Sequence, residues 1–184
     1  MPKADRTTKR VLIDKVLTSL GIVATVALLA IGGMAWWAYS FTSSNVHSEL
    51  AAQKIYFPPK GSPALASPKI GPYLNQYAGK QLLTGPEAKA YADHFIAVHL
   101  SEVAGGQTYS QVSAASLADP GNAKLKAEAQ TLFQGETLRG LLLGDAYAFA
   151  TIGHIAEIVA IICFAAAGVM ALLVLLGLWH LSTL

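Results

Sequence analysis

Two long apolar runs bracket this chain, one from Val16 to about Phe41 and one from about Ile155 to Leu178. Each exceeds the roughly 20 apolar residues that a helix needs to cross a bilayer. Between them lie about 110 residues of polar-faced chain, enough to bury a modest core. The predicted fold class is an all-α membrane protein: a two-helix transmembrane hairpin with a mainly helical extracytoplasmic loop domain. The segments divide as a cytoplasmic arm at 1–15, transmembrane helix 1 at 16–41, the helical domain at 42–150, transmembrane helix 2 at 151–180 and a cytoplasmic tail at 181–184.

Composition follows from this layout. Only 13% of the 184 residues are charged, against about 25% in a soluble domain, and the deficit sits in the two runs. The net charge of +2 is too small to suggest a nucleic-acid partner. The one cysteine, Cys163, lies inside the second run, so no disulfide framework is available within one chain. The domain must hold together by packing, by leaning on its own spans, or through partners.

The first run reads as an uncleaved signal anchor. It is longer than the 7–15 residues of a signal-peptide core, and it ends in Met34-Ala35-Trp36-Trp37-Ala38-Tyr39, bulky where a cleavage site needs small residues. Its flank is basic: Lys3, Arg6, Lys9, Arg10 and Lys15 stand against Asp5 and Asp14. Positive flanks stay cytoplasmic, so both termini are expected inside and the domain outside. Trp36, Trp37 and Tyr39 then form an outer aromatic belt, and Trp179 marks the inner interface of the second span. The arm is expected to be poorly ordered at its start.

Thr42 to Gln53 extends the first helix, and Tyr56-Phe57-Pro58-Pro59 ends it, because proline lacks the N–H donor. Five prolines and two glycines at 57–72 predict an extended, turn-rich connector lying over the helices; the alternative is a strap along a partner subunit. Thr84-Gly85-Pro86-Glu87 starts a helix predicted to run from Pro86 to Val103 and stop at Gly105-Gly106, with Ala88, Tyr91, Phe95 and Val98 at near-helical spacing. Thr108 caps a short helix from Tyr109 to Leu117. Asp119-Pro120 repeats the cap-plus-proline signal for a long helix that continues into span two, with Gly135, Gly140, Gly144 and Gly153 as expected break points. No segment alternates polar and apolar residues convincingly, so no sheet is expected.

Four groups carry candidate function. Span two shows a small-residue stripe, Ala156, Ala160, Cys163, Ala167 and Ala171, which lets backbones approach. It serves either the antiparallel pair of spans or a partner, such as a neighbouring membrane subunit or a second copy. His154 and Glu157 share a helix face near the outer interface, where ionisable groups are functional by default; they are the candidates for a metal, lipid or quinone site, against a simple hydrogen-bonded pair. Glu136 and Arg139 form either an intrahelical ion pair or, if buried against a partner, an interface anchor. Asp93, His94, His99 and Glu102 lie on one helix, but His94 and His99 are five apart and point about 140° away from each other. There is no His-Glu-x-x-His, nucleophile elbow, phosphate-binding glycine loop or haem-attachment motif. The chain is expected to be no enzyme and to need no cofactor.

The wording at residues 71–140 is distinctive: Gly71-Pro72-Tyr73, Tyr77-Ala78-Gly79-Lys80, Ala88-Lys89-Ala90-Tyr91-Ala92-Asp93, Gly105-Gly106-Gln107-Thr108-Tyr109, and Gln130 through Leu142. It resembles a family of small two-span membrane proteins from actinobacteria, whose members often carry the label aromatic-ring-opening dioxygenase. The resemblance covers most of the chain outside the arm. It implies a span, a helical outer segment with a Gly-Gly-x-Thr-Tyr turn, a second span, and a bacterial plasma membrane. The label would require iron held by two histidines and a carboxylate; no such triad is visible in this sequence, and the resemblance supplies no catalytic residue. The combined expectation is an accessory or scaffold subunit of a larger integral membrane complex, contacting other membrane subunits and the lipid bilayer.

Overall fold

Helix α1 runs without interruption from Lys3 to Gln53 in the computed structural model, which describes residues 3–183. The basic arm, expected to be poorly ordered at its start, is helical from Lys3; Met1, Pro2 and the tail residue Leu184 lie outside the described residues. The remaining elements are α2 (Pro63–Ala66), α3 (Gly71–Leu74), a 3₁₀ turn (Asn75–Tyr77), α4 (Gly85–Tyr91), α5 (Ala97–Val103), α6 (Tyr109–Ala118), α7 (Ala123–Leu141) and α8 (Phe149–Ser182). Two π-helical segments are inserted, Ala92–Ile96 between α4 and α5 and Leu142–Ala148 between α7 and α8. The only β pairing among the described residues is a single bridge, Tyr56 to Gln81. The all-helical class and the two helices long and apolar enough to cross a membrane are as expected.

The chain forms two compact units, one made of the residues up to Phe41 with those from Gly153 onward, the other of Thr42–Ile152. In the first unit the two apolar helices pack antiparallel in one register. A methyl group placed on Gly21 would meet Val174, one on Gly32 would meet Phe164 and Cys163, and one on Gly177 would meet Thr18. Residue numbers rise along one helix as they fall along the other. The stripe on α8 is the face used: Ala160 is 0% and Ala167 2% exposed, with Ala156, Cys163 and Ala171 half-buried. Large side chains such as Val23, Ile162 and Leu172 point away from the pair. Small residues inside and large apolar ones outside is the arrangement of helices that pack within lipid.

The second unit has a water-protein type of core built on Leu50, Phe57, Leu74, Leu82, Val112 and Leu142. Its first part corrects the expected connector. α1 stops before the prolines: Lys54 takes a left-handed backbone (φ 54°), and the Gln81 side-chain amide donates to the Ala51 carbonyl at 2.9 Å. The chain then leaves and returns as a closed loop. Phe57 N–H donates to Lys80 O, Gly79 N–H to Pro58 O and Leu82 N–H to Ile55 O. Inside the loop, prolines at the first positions of α2 and α3 start one-turn helices instead of preventing them. Phe57, Leu65, Ile70 and Leu74 are buried in the core, so residues 57–72 are packed structure and no free strap.

Capping chemistry sets the next helices. Thr84 and Glu87 form a capping box at α4, and Thr108 and Gln111 form another at α6. Gly105 and Gly106 both take positive φ and end α5, with Gly106 N–H donating to Ser101 O. α7 differs from expectation: its cap is Asn122, whose side chain accepts from Leu125 N–H at 3.2 Å, while Asp119 bonds the Asn122 amide. Asp119-Pro120 sits in the preceding turn. None of the four glycines breaks the helix that follows, despite a helix-propensity cost of about 1 kcal/mol each; Gly135 lies against Leu100, where an added methyl group would clash. The departure from α geometry is the π segment Leu142–Ala148, which includes Gly144.

Candidate functional site

The first π segment places Asp93 opposite α7. A π segment admits one extra residue into the helical ladder and shifts the face that later side chains present. Asp93 Oδ2 lies 2.6 Å from Lys89 Nζ and its Oδ1 lies 3.5 Å from an Arg139 amine, while Arg139 also reaches Glu136 at 3.4 Å. Lys89 lies over the Tyr147 ring, 5.2 Å from its centre, so the network spans both π segments. The hydrogen bond from Lys89 holds the Asp93 carboxyl below the usual carboxylate range; burial opposes this, and Arg139 adds to it. The same bond raises Lys89. Arg139 Nε is buried without a hydrogen-bond partner.

Glu136 and Arg139, expected as an intrahelical ion pair or an interface anchor, are joined to each other, and Arg139 is tied to Asp93 across 46 positions of sequence. Arg139 locks two helices of its own domain together. Asp93 was legible only as one member of an acidic and histidine-bearing helix; nothing local announces its pairing with Arg139.

The histidines on that helix go elsewhere. His94 stacks flat on Tyr73, with ring centres 3.7 Å apart and 2° between planes. His99 lies against Phe95, and its Nδ1 is 2.7 Å from the Phe95 carbonyl. Phe95 continues a ladder through Tyr91 to Phe57 and Tyr77. Glu102 is exposed. Among the described residues no three ligating side chains converge on one point.

His154 Nδ1 and Glu157 Oε2 lie 3.0 Å apart, so the pair at the start of α8 satisfies itself, and no third ligating group joins it among the described residues. At the other end of the same unit, His180 lies 3.8 Å from Asp14 and ties the two helices together. Ala156, Ala160, Ala167 and Ala171, expected as partner-binding positions, belong to the internal face of the hairpin. The stripe serves the first of its two expected uses, because a helix has one face of small residues and the neighbouring span occupies it.

Two further features of the second unit bear on a partner. One is a set of exposed apolar side chains on α7: Phe133 is 50%, Leu138 37% and Leu141 53% exposed, with Leu138 and Leu141 on one face. The other is a groove of about 180 Å³ between residues 45–53 of α1 and residues 141–149. The sequence signal for the groove is a repeated i, i+1, i+4, i+5, i+8 pattern, recognisable only once the two segments are known to face each other. Comparison with protein-family models, curated proteins and solved structures finds no match to this chain.

Proposed function

We propose that the chain is a non-catalytic accessory or scaffold subunit of a larger integral membrane complex in a bacterial plasma membrane. In this reading both termini are cytoplasmic and Thr42–Ile152 is extracytoplasmic. The basic residues before the first span and the aromatic residues at its far end support that orientation.

One observation carries the reading. Leu138 and Leu141, three apart on α7 and so on one face, stand exposed within the domain that folds around its own core. Exposed apolar patches with polar surroundings mark protein contacts. The other two features that suggested a partner, the alanine stripe and the proline-rich segment, are occupied within the chain itself. The resemblance to two-span actinobacterial proteins agrees with a membrane role and adds no chemistry.

Purification from native membranes in mild detergent tests this. A particle larger than one chain, containing other membrane subunits in fixed ratio, is expected. A monomer that brings nothing with it overturns the reading. Orientation is tested separately, by labelling cysteines placed at Lys60 and Lys9 with a membrane-impermeant reagent on intact cells. Label at position 60 and none at position 9 is expected; the reverse inverts the topology. Lipid and metal analysis of the same sample addresses His154 and Glu157: a bound species lost on His154→Ala would replace the scaffold reading with a ligand-binding one.

A further inference from the structure

The groove in Thr42–Ile152 is framed by two helices that contribute side chains in the same pattern. Its floor is Val46 and Leu50 from α1 with Leu142 and Ala146 from the second π segment, all buried. One wall is Asn45, Glu49 and Gln53; the other is Leu141, Asp145 and Phe149. Glu49 and Asp145 each occupy the middle position of their wall. Neither carboxylate has an ion pair or hydrogen bond among the described residues, whereas Asp93, Glu87, Glu128 and Glu136 have partners and, of the other acidic residues of the domain, Glu102 has none. Leu141 lines the groove and is itself 53% exposed at the end of α7.

We propose that this groove seats a helix of a neighbouring membrane subunit, with an apolar stripe on the floor and a lysine or arginine between Glu49 and Asp145. The inference rests on the accessory-subunit reading and names its docking site. A groove framed by two helices, apolar below and polar at the rim, is the shape that receives an amphipathic helix through anchors at helical spacing. Nine residues of framing helix are about 13 Å long, which matches roughly two turns of an occupant. Charge complementarity selects the chemistry. Two unpaired carboxylates over an apolar floor favour a cation, and they repel the phosphate of an anionic lipid headgroup. A cation brought there by a helix is partly withdrawn from water, where it discriminates between partners more strongly than on an open surface.

The test uses the full-length protein in its native membrane. A photo-cross-linking amino acid is placed at Leu141, in the groove, and in a second version at Leu117, which is exposed on α6 away from it. The expected product at position 141 is one membrane subunit, joined through an apolar helical peptide that contains a lysine or arginine; position 117 should not yield that peptide. Glu49→Gln with Asp145→Asn should lower the yield roughly tenfold, and Glu49→Lys further. The melting temperature should not change, because neither carboxylate is paired within the chain. A cross-link to lipid, to a second copy of this chain, or to a peptide without a basic residue overturns the proposal. An unchanged yield in the double variant does the same. If a subunit co-purifies but never cross-links at position 141, the groove is wrong and the accessory reading stands; if nothing co-purifies, both fall.

Discussion

The two units of this chain pack by opposite rules. In the helical pair the interior is made of alanine, glycine and threonine, and the bulky side chains face outward. In Thr42–Ile152 the interior is leucine, phenylalanine and valine, and charges ring the surface. The two interiors match the packing rules of two different solvents. In water, burying large apolar side chains is the driving force; in lipid that force is absent between helices, and close backbone approach takes its place. One chain carries both kinds of interior, and each rule can be broken separately.

The largest effect is expected in the aqueous-type core. Phe57 is fully buried, stacked on Tyr77 and edge-on to Tyr91. Phe57→Ala should cost about 3–5 kcal/mol of domain stability, read from urea unfolding of the detergent-solubilised protein. A loss below about 1 kcal/mol would mean the closed loop at 55–82 is not part of the core.

Next comes the lipid-type interface, where adjacent glycines make an internal control. A methyl group at Gly32 would lie 2.9 Å from the Phe164 ring, while one at Gly33 meets nothing within 4 Å. Gly32→Leu should cost about 1–3 kcal/mol through forced separation of the helices, and Gly33→Leu should be close to neutral. Equal effects would contradict the register described above. The readout is the denaturant midpoint in mixed micelles.

Smaller still is the Asp93 network. With its carboxyl held below the usual range, Asp93 contributes stability that is complete above the unfolded value of about 3.9. That contribution is lost as pH falls through the depressed folded value. Asp93→Asn should therefore flatten the acid limb of the stability profile and cost about 1 kcal/mol or less at neutral pH, since the ion pairs are partly solvated. An unchanged acid limb would remove Asp93 from the network. The smallest effect is expected at His154, which is exposed and pairs with Glu157. His154→Ala should shift stability by no more than about 0.5 kcal/mol, and a larger loss would show a role beyond the pair.

Local chemistry alone determined much of this protein. Twenty-residue apolar runs specify two long helices whatever surrounds them. Thr84 with Glu87, Thr108, and the Gly105-Gly106 stop set helix ends within a residue or two, because a cap depends on donors and acceptors three positions away. The cap of α7 was placed three residues early, since Asp119-Pro120 and Asn122 carry the same signal and only the geometry of the turn selects Asn122. Tertiary structure decided what no local signal encodes. It set the two π segments and brought Arg139 to Asp93. It turned the alanine stripe toward span one, folded a proline-rich segment into the core, and brought Glu49 and Asp145 to one groove. Periodicity states which residues share a face of one helix; what that face meets is a property of packing between segments distant in sequence, and packing becomes visible only when both are in place.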